Sequence, residues 1–366
     1  MEGNGAIPQS SDVLRKIREL TKSIVMDLSR GRSPTLSIDR FKNYCTRPMG
    51  KCCCSLDFPL GREILTLQRE CHARRLDVLL RVLLIVQQLL QENRQGSKRD
   101  IYYMHPSAFS EQPVVDRAIN DVCIILLCSR HNLNVVSVAK GLVMGWLIFT
   151  EAERKFDCIA SLNTAHSVPV NVEELKDVTS SAQYILVVEK ESVFQRLADD
   201  RFCSANRCIV ITGRGYPDVP TRRFLRLLIE KLHLPVYCLV DCDPYGFDIL
   251  STYRFGSMQM AYDAKLLRVQ GICWLGAFSS DSEKYNIPNV CLLPLTAEGD
   301  VLSDKKRTEV MLQRCYLQRE APEWRLELEL MLHRGVKFEI EALAVHSISF
   351  LSKEYIPSKI HGKLYI

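Results

Sequence analysis

Two textures of hydrophobic patterning follow one another along the 366-residue chain. In the first, apolar residues recur at three- and four-residue steps, the spacing of a helix with one face on a core. Val13, Ile17, Leu20, Ile24 and Leu28 predict a helix over Ser10–Leu28, ended by the Ser-, Arg- and Gly-containing stretch 29–34. From there through Glu70, cysteines, prolines and charges mix without a period. Leu76, Leu79, Leu80, Leu83, Val86 and Leu90 predict a second helix, stopped by the polar run 92–97. Beyond the short segment 98–106, Ser110 is the expected cap of a third helix, with Pro113 in its first turn. That helix carries Val114, Val115, Ala118, Ile119, Val122, Ile125 and Leu126. A further helical segment is expected over Leu133–Ala139, ended by Gly141, and residues 142–149 read as strand, bend, strand. Short helices followed by a hairpin is the order of a winged helix-turn-helix, a reader of double-stranded DNA. A helical bundle with a hairpin has the same order, and the pattern alone leaves the two open.

Beyond Pro169 the texture changes to continuous apolar runs, each ending at a polar or glycine residue. Residues 184–188 precede Glu189, residues 208–212 precede Gly213, and residues 236–240 precede Asp241. Helical patterns over Ser192–Asp199 and Thr221–Leu232 lie between them. Such alternation implies a parallel sheet covered on both faces. Ligands of these sheets gather at the carboxyl ends of the strands. Glu189, Gly213, Asp241 and Asp243 are the residues expected there. The fold class that follows is α/β plus α+β, divided into an N-terminal extension over 1–75, a helical and hairpin domain over 76–168, and a parallel-sheet domain with C-terminal helices over 169–366.

Composition narrows this picture little. With 47% hydrophobic and 25% charged residues the chain is of ordinary globular type, which excludes a disordered tail, a collagen or a coiled-coil rod. A net charge of +5 permits a polyanionic partner without demanding one. No apolar stretch has the length of a membrane helix, and no secretory signal is visible, so no membrane role is expected. The 15 cysteines then read as reduced thiols of the cytosol or nucleus. Cys45, Cys52, Cys53 and Cys54, with Cys71 and His72 beyond, lack the paired spacing of a zinc site, so incidental thiols are the preferred reading.

Three constellations carry candidate chemistry. Asp241 and Asp243 flank Cys242 directly after an apolar strand, and Glu189 leaves another strand in the same sense. Three converging carboxylates repel one another unless a cation neutralises them, and hard oxygen ligands suit magnesium. A lone aspartate after a strand is ordinarily a helix cap, so it is the combination that favours the metal. The loop Thr212–Asp218 contains Gly213, Arg214 and Gly215, and the next helix opens with Arg222 and Arg223. A helix start with arginines attracts anions, although this loop lacks the Lys-Ser/Thr ending of a Walker loop and its arginines serve equally as a solvated face. The third group is Lys98, Arg99, Tyr102 and Tyr103. A tyrosine hydroxyl becomes a nucleophile only when its anion is stabilised or its proton removed, and Arg99 and Lys98 supply positive charge for both oxygen and phosphate. Tyrosine pairs are ordinarily core or surface aromatics. Metalloprotease, zinc-deaminase and nucleophile-elbow signatures are all absent from the sequence.

Taken in order, Arg99–Tyr103, Val187–Lys190, Thr212–Gly215 with Pro217–Asp218, and Asp241–Pro244 closely resemble one family. It is the A subunit of type VI (type IIB) topoisomerase with its eukaryotic relative, which makes meiotic DNA double-strand breaks. The stretches 254–258 and 337–343 are most similar to a plant branch of it. The resemblance covers roughly Leu76 to Ile356; the acids alone would indicate only the wider Toprim superfamily.

The resemblance implies a winged-helix domain followed by a Toprim domain. Tyr103 matches the family's transesterase nucleophile and Arg99 its nearby catalytic arginine. Glu189, Asp241 and Asp243 match the ligands of Mg2+. Gly213, Arg214, Gly215 and the segment to Arg222 match a region lining the DNA path, beside which Lys98 is a further candidate contact. Implied partners are double-stranded DNA, a second copy of the chain whose metal site accepts this chain's tyrosine, a separate topoisomerase VI B-like subunit, and other break-forming proteins of meiosis. The setting implied is the nucleus. Two other readings use the same residues: a Toprim nuclease with water as nucleophile, and a catalytically silent DNA-binding scaffold.

Overall fold

The computed structural model describes residues 10–40, 61–137, 139–257, 260, 263–297 and 303–366. The cysteines at 45, 52, 53 and 54 lie outside the described residues. Two compact units are present, one holding the described residues up to 137 with a short return between 257 and 265, the other holding the rest.

The first unit is built on helices. α1 (Ser10–Ser29) buries Val13 and Ile17, and α2 (Glu70–Gln91) buries Leu76, Val78, Leu79, Val82, Leu83, Ile85, Val86 and Leu90. Between them in sequence, β1 (Thr35–Arg40) and β2 (Gly61–Thr66) pair antiparallel, a pairing that the pattern through Glu70 did not predict. α3 (Lys98–Met104) and α4 (Gln112–Leu126) follow, and all these elements share one apolar core. Ser110 is not the cap of α4. Its backbone takes a left-handed conformation (φ 66°) and Glu111 occupies the cap position. The helix expected over 133–139 is a correction as well. A single tight turn at His131–Leu133 ends at Asn134, left-handed at φ 56°, and Val135–Val136 is extended, pairing with Gly96–Ser97. The β-branched pair favours a strand once the turn has broken the helix.

In the second unit the expected strand, bend and strand are found, but not as a hairpin. β3 (Leu142–Gly145) and β4 (Ile148–Glu151) join different sheets. Gly145, at φ +107°, lets the chain turn from one to the other. β4 instead pairs with β5 (Arg154–Asp157) and β7 (Lys176–Thr179), while β6 (His166–Ser167) pairs with β3. The remaining elements are β8 (Tyr184–Val188), α5 (Glu191–Asp199), β9 (Cys208–Thr212), α6 (Val219–Leu232), β10 (Val236–Leu239), α7 (Pro244–Phe255) and β11 (Ile272–Gly276).

The six-stranded sheet runs β11-β10-β8-β9-β3-β6. Its four strands β11, β10, β8 and β9 are parallel, and β3 and β6 form an antiparallel edge. Every residue of β8, β9 and β10 is buried, which explains why their sequences read as unbroken apolar runs. Val188 stands beside both Thr212 and Leu239, so the three central strands end level. That register brings Glu189, Gly213 and Asp241 out along one edge.

Candidate active site

The tyrosine pair sits on α3, whose start is fixed by reciprocal capping. Asp100 N donates to Ser97 Oγ (3.1 Å) and Ser97 N donates to Asp100 Oδ2 (2.7 Å). Ile101 is the buried anchor of this short helix. With that face inward, Tyr102 lies half-buried and its hydroxyl donates to Ser110 O (3.3 Å). Tyr103 points outward, 70% exposed, with its ring edge-on to that of Tyr102 at 5.1 Å. Arg99 precedes Tyr103 by four residues, one helical turn along the same face. Its guanidinium makes no ion pair among the described residues. Lys98 is committed elsewhere: its ammonium pairs with Asp116 at 2.7 Å, and burial first, then Arg130, hold its pKa below the usual lysine range.

The three acids of the second unit meet at the strand ends. Glu189 Oε2 accepts from Asp241 N (2.9 Å). Asp241 Oδ1 accepts from Ile340 N (2.8 Å), and its Oδ2 lies 3.0 Å from the Lys190 ammonium. Asp243 caps α7 by accepting from Gly246 N (2.6 Å). Gly246 is required here, since a Cβ would stand 2.5 Å from Asp241 O and 3.1 Å from Glu189 Oε2. Burial, reinforced by the charges of Asp241 and Asp243, pushes the Glu189 carboxyl up to about 8. Burial also raises Asp241 to about 6, against the Ile340 amide and Lys190, and raises Asp243 against the Gly246 amide.

The glycine loop wraps Glu189. Gly215 N and Thr212 Oγ1 both donate to Glu189 O (2.9 and 3.2 Å), and Arg214 N donates to Thr212 Oγ1 (3.1 Å). Asp218 caps α6 through Thr221 N and also accepts from Lys140 N. Arg214 pairs with Glu191 at 2.7 Å on the surface. Arg222 is 2% exposed, so it packs inside the unit and is not presented for contact.

The geometry therefore gathers Glu189, Asp241 and Asp243 at one strand edge beside the glycine loop. Among the described residues no three His, Cys, Asp or Glu side chains are already closed around a metal-sized space. The donor set nevertheless fits a hard divalent cation: burial makes all three carboxylates costly to ionise, Asp241 and Asp243 add to that cost at Glu189, and an ion of charge two relieves it.

Lys190 stood inside a motif the sequence offered, but its role and its partners Glu339 and Glu341 escaped the pattern. The Lys190 ammonium that pairs with Asp241 also contacts Glu339 Oε2 (2.8 Å) and Glu341 Oε2 (2.9 Å). Burial opposes this ammonium, but Glu339, Glu341 and Asp241 together hold its pKa above the usual lysine range. The alternation Lys337-Phe338-Glu339-Ile340-Glu341, with Phe338 and Ile340 buried, was the available signal of a segment anchored inward at alternate residues.

Comparison with known proteins agrees with this arrangement. Residues 184–360 match the Toprim domain of Spo11 and the topoisomerase 6 A-type chain, and residues 74–135 match the description Type IIB DNA topoisomerase. The chain is 69% identical over its whole length to the meiotic recombination protein SPO11-1 of Arabidopsis thaliana, covering 99% of that protein. It is 35% identical to the meiotic recombination protein SPO11 of Homo sapiens over 98% of this chain and 89% of the human one. To the A-type chain of DNA topoisomerase 6 from Arabidopsis thaliana it is 40% identical over 78% of this chain and 66% of the relative. With an acid-bearing parallel sheet in the second unit and sequence identity of this extent, the chain belongs to the family formed by Spo11 and the A-type chain of topoisomerase 6.

Proposed function

We propose that this topoisomerase-like, DNA-cleaving enzyme of meiotic recombination cuts by transesterification, with Tyr103 as the nucleophile. The observation that carries the reading is the contrast within the pair: the Tyr102 hydroxyl is spent on Ser110 O, whereas Tyr103 is solvent-exposed on the same face as Arg99, which makes no ion pair among the described residues. Tyr103 Oη forms a bond to a DNA phosphorus as the bond from phosphorus to the 3′ oxygen breaks. The tyrosine proton leaves with solvent or a base, the 3′ oxygen ends as a hydroxyl, and the chain stays on a 5′-phosphotyrosyl link. One phosphodiester replaces another, so positioning and charge neutralisation carry the catalysis.

Arg99 neutralises the phenolate and the phosphate it approaches. Glu189, Asp241 and Asp243 would hold Mg2+, which supplies charge stabilisation to the phosphate and the departing oxygen. The glycine loop fixes Glu189 through its carbonyl and presents Arg214 toward the backbone of the nucleic acid. Double-strand cleavage needs two tyrosines, hence two copies of the chain, the tyrosine of one serving the acids of the other. The helical first unit, acting as a winged-helix module, would hold double-stranded DNA, largely through phosphates and therefore with strong salt dependence. Further partners in this reading are other break-forming proteins of meiosis and a B-like subunit of topoisomerase VI, with the nucleus as the place of action.

Tyr103→Phe is expected to retain DNA binding and lose covalent attachment altogether, while Tyr102→Phe stays active. Gel analysis of protein-capped DNA checks both. An inactive Tyr102→Phe beside an active Tyr103→Phe would reverse the assignment. Free 5′-phosphate ends would favour the water-using nuclease instead.

A further inference from the structure

We infer that Lys190 is a placeholder cation, holding Asp241 while the acid site lacks its metal and retreating onto Glu339 and Glu341 when a divalent ion takes the same oxygen. This rests on the magnesium-site reading above. An ammonium has three donors, and here they face three carboxylates at 3.0 Å (Asp241), 2.8 Å (Glu339) and 2.9 Å (Glu341). The two oxygens of Asp241 are not equivalent. Oδ1 is tied to a backbone amide, Ile340 N, whereas Oδ2 is paired with the lysine, so Oδ2 is the oxygen open to exchange.

The retreat position is built in advance. Glu341 Oε1 accepts from Ser192 Oγ (2.8 Å), which leaves Oε2 aimed at the lysine. Glu339 and Glu341 flank Ile340, and the preceding Phe338 exchanges backbone hydrogen bonds with Cys242 (3.0 and 3.2 Å). The acidic segment is thus strapped to the Asp-x-Asp turn. On releasing Asp241 the ammonium keeps two carboxylates, so it remains neutralised without leaving the site. Lys190 touches a ligand rather than the reacting atoms, which makes it a positioning residue.

Calorimetric titration of the full chain with Mg2+ tests the inference in five variants. Lys190→Met should bind Mg2+ about tenfold more tightly, equivalent to about 1.4 kcal/mol, and Lys190→Arg should remain close to the parent chain. Glu339→Gln with Glu341→Gln should weaken Mg2+ by about tenfold while Lys190 is present. In the Lys190→Met background the same pair should change affinity by about twofold or less, because there is no lysine left to receive. In the absence of Mg2+, Lys190→Met should melt lower than the parent, and saturating Mg2+ should close the gap. Equal weakening by the glutamine pair in both backgrounds would reduce these residues to general negative charge and overturn the inference, as would unchanged or weaker binding by Lys190→Met. A parent chain that binds Mg2+ no better than Asp241→Asn overturns the metal reading itself, and this inference with it.

Discussion

Two buried acidic centres carry their charge in opposite ways. In the first unit Asp121 is 1% exposed, and each of its oxygens has its own arginine: Arg40 at 2.7 Å and Arg75 at 2.6 Å. Glu63 closes the ring, with Arg40 at 2.7 Å and Arg75 at 2.5 Å. Two carboxylates face two guanidiniums, and the charges balance. In the second unit Asp241 alone of the three acids pairs with a lysine, Lys190, which also serves Glu339 and Glu341, while Glu189 and Asp243 make no ion pair among the described residues. Burial of a carboxylate is therefore no signal of function by itself. The informative quantity is charge left unmatched, because a fold keeps such a cost only where something else offsets it.

The largest effect that sharpens this contrast is expected at Glu189→Gln. Removing one under-matched carboxylate should lower metal-dependent DNA cleavage by about 10²–10³-fold, while the melting temperature stays level or rises because repulsion is relieved. Cleavage assays beside differential scanning calorimetry measure both, and a large loss of stability would break the comparison.

Asp121→Ala should behave in the opposite manner. It strands two arginines around a buried site and should cost about 3–5 kcal/mol of stability, measured by urea unfolding. Divalent-cation affinity should not change.

A smaller effect concerns pH. Burial opposes ionisation of Glu63, but the hydrogen bond from Arg40 and the charges of Arg75 and Arg40 hold its pKa below the ordinary carboxylate value. A depressed carboxylate stabilises the fold above its unfolded pKa and loses that contribution as pH falls through the folded value. Because Glu63 is partly exposed, the expected contribution is under about 1 kcal/mol. Urea midpoints of Glu63→Gln and the parent chain should converge as pH drops from about 5 toward about 2. A constant gap across that range would contradict the pairing.

The same contrast explains what the sequence revealed. The acids at 189, 241 and 243 were legible because each follows a strand buried on both faces, whose unbroken apolar run marks where it ends. Parallel register then does the rest, since neighbouring strands of that kind finish level. The matched ring of Arg40, Glu63, Arg75 and Asp121 left no such trace. Its members lie on four separate elements, and Arg40 meets Asp121 across 81 positions of chain. The pairing of β1 with β2 was hidden for a similar reason, being formed by two short segments on either side of a stretch without periodicity. Lys190 was in view as part of a motif, but its partners Glu339 and Glu341 arrive from far along the chain. Tyr103 was legible by resemblance; what distinguishes it from Tyr102 is the turn of α3, set by Ile101 facing inward.

Attachment of Tyr103 to DNA is tested most directly by isolating denatured protein-capped DNA ends, digesting both components and sequencing the nucleotide-bearing peptide by mass spectrometry. The expected product is a residual nucleotide on Tyr103, attached through its 5′ phosphate. A nucleotide on Tyr102, or ends that carry a free 5′ phosphate and no peptide, would contradict it.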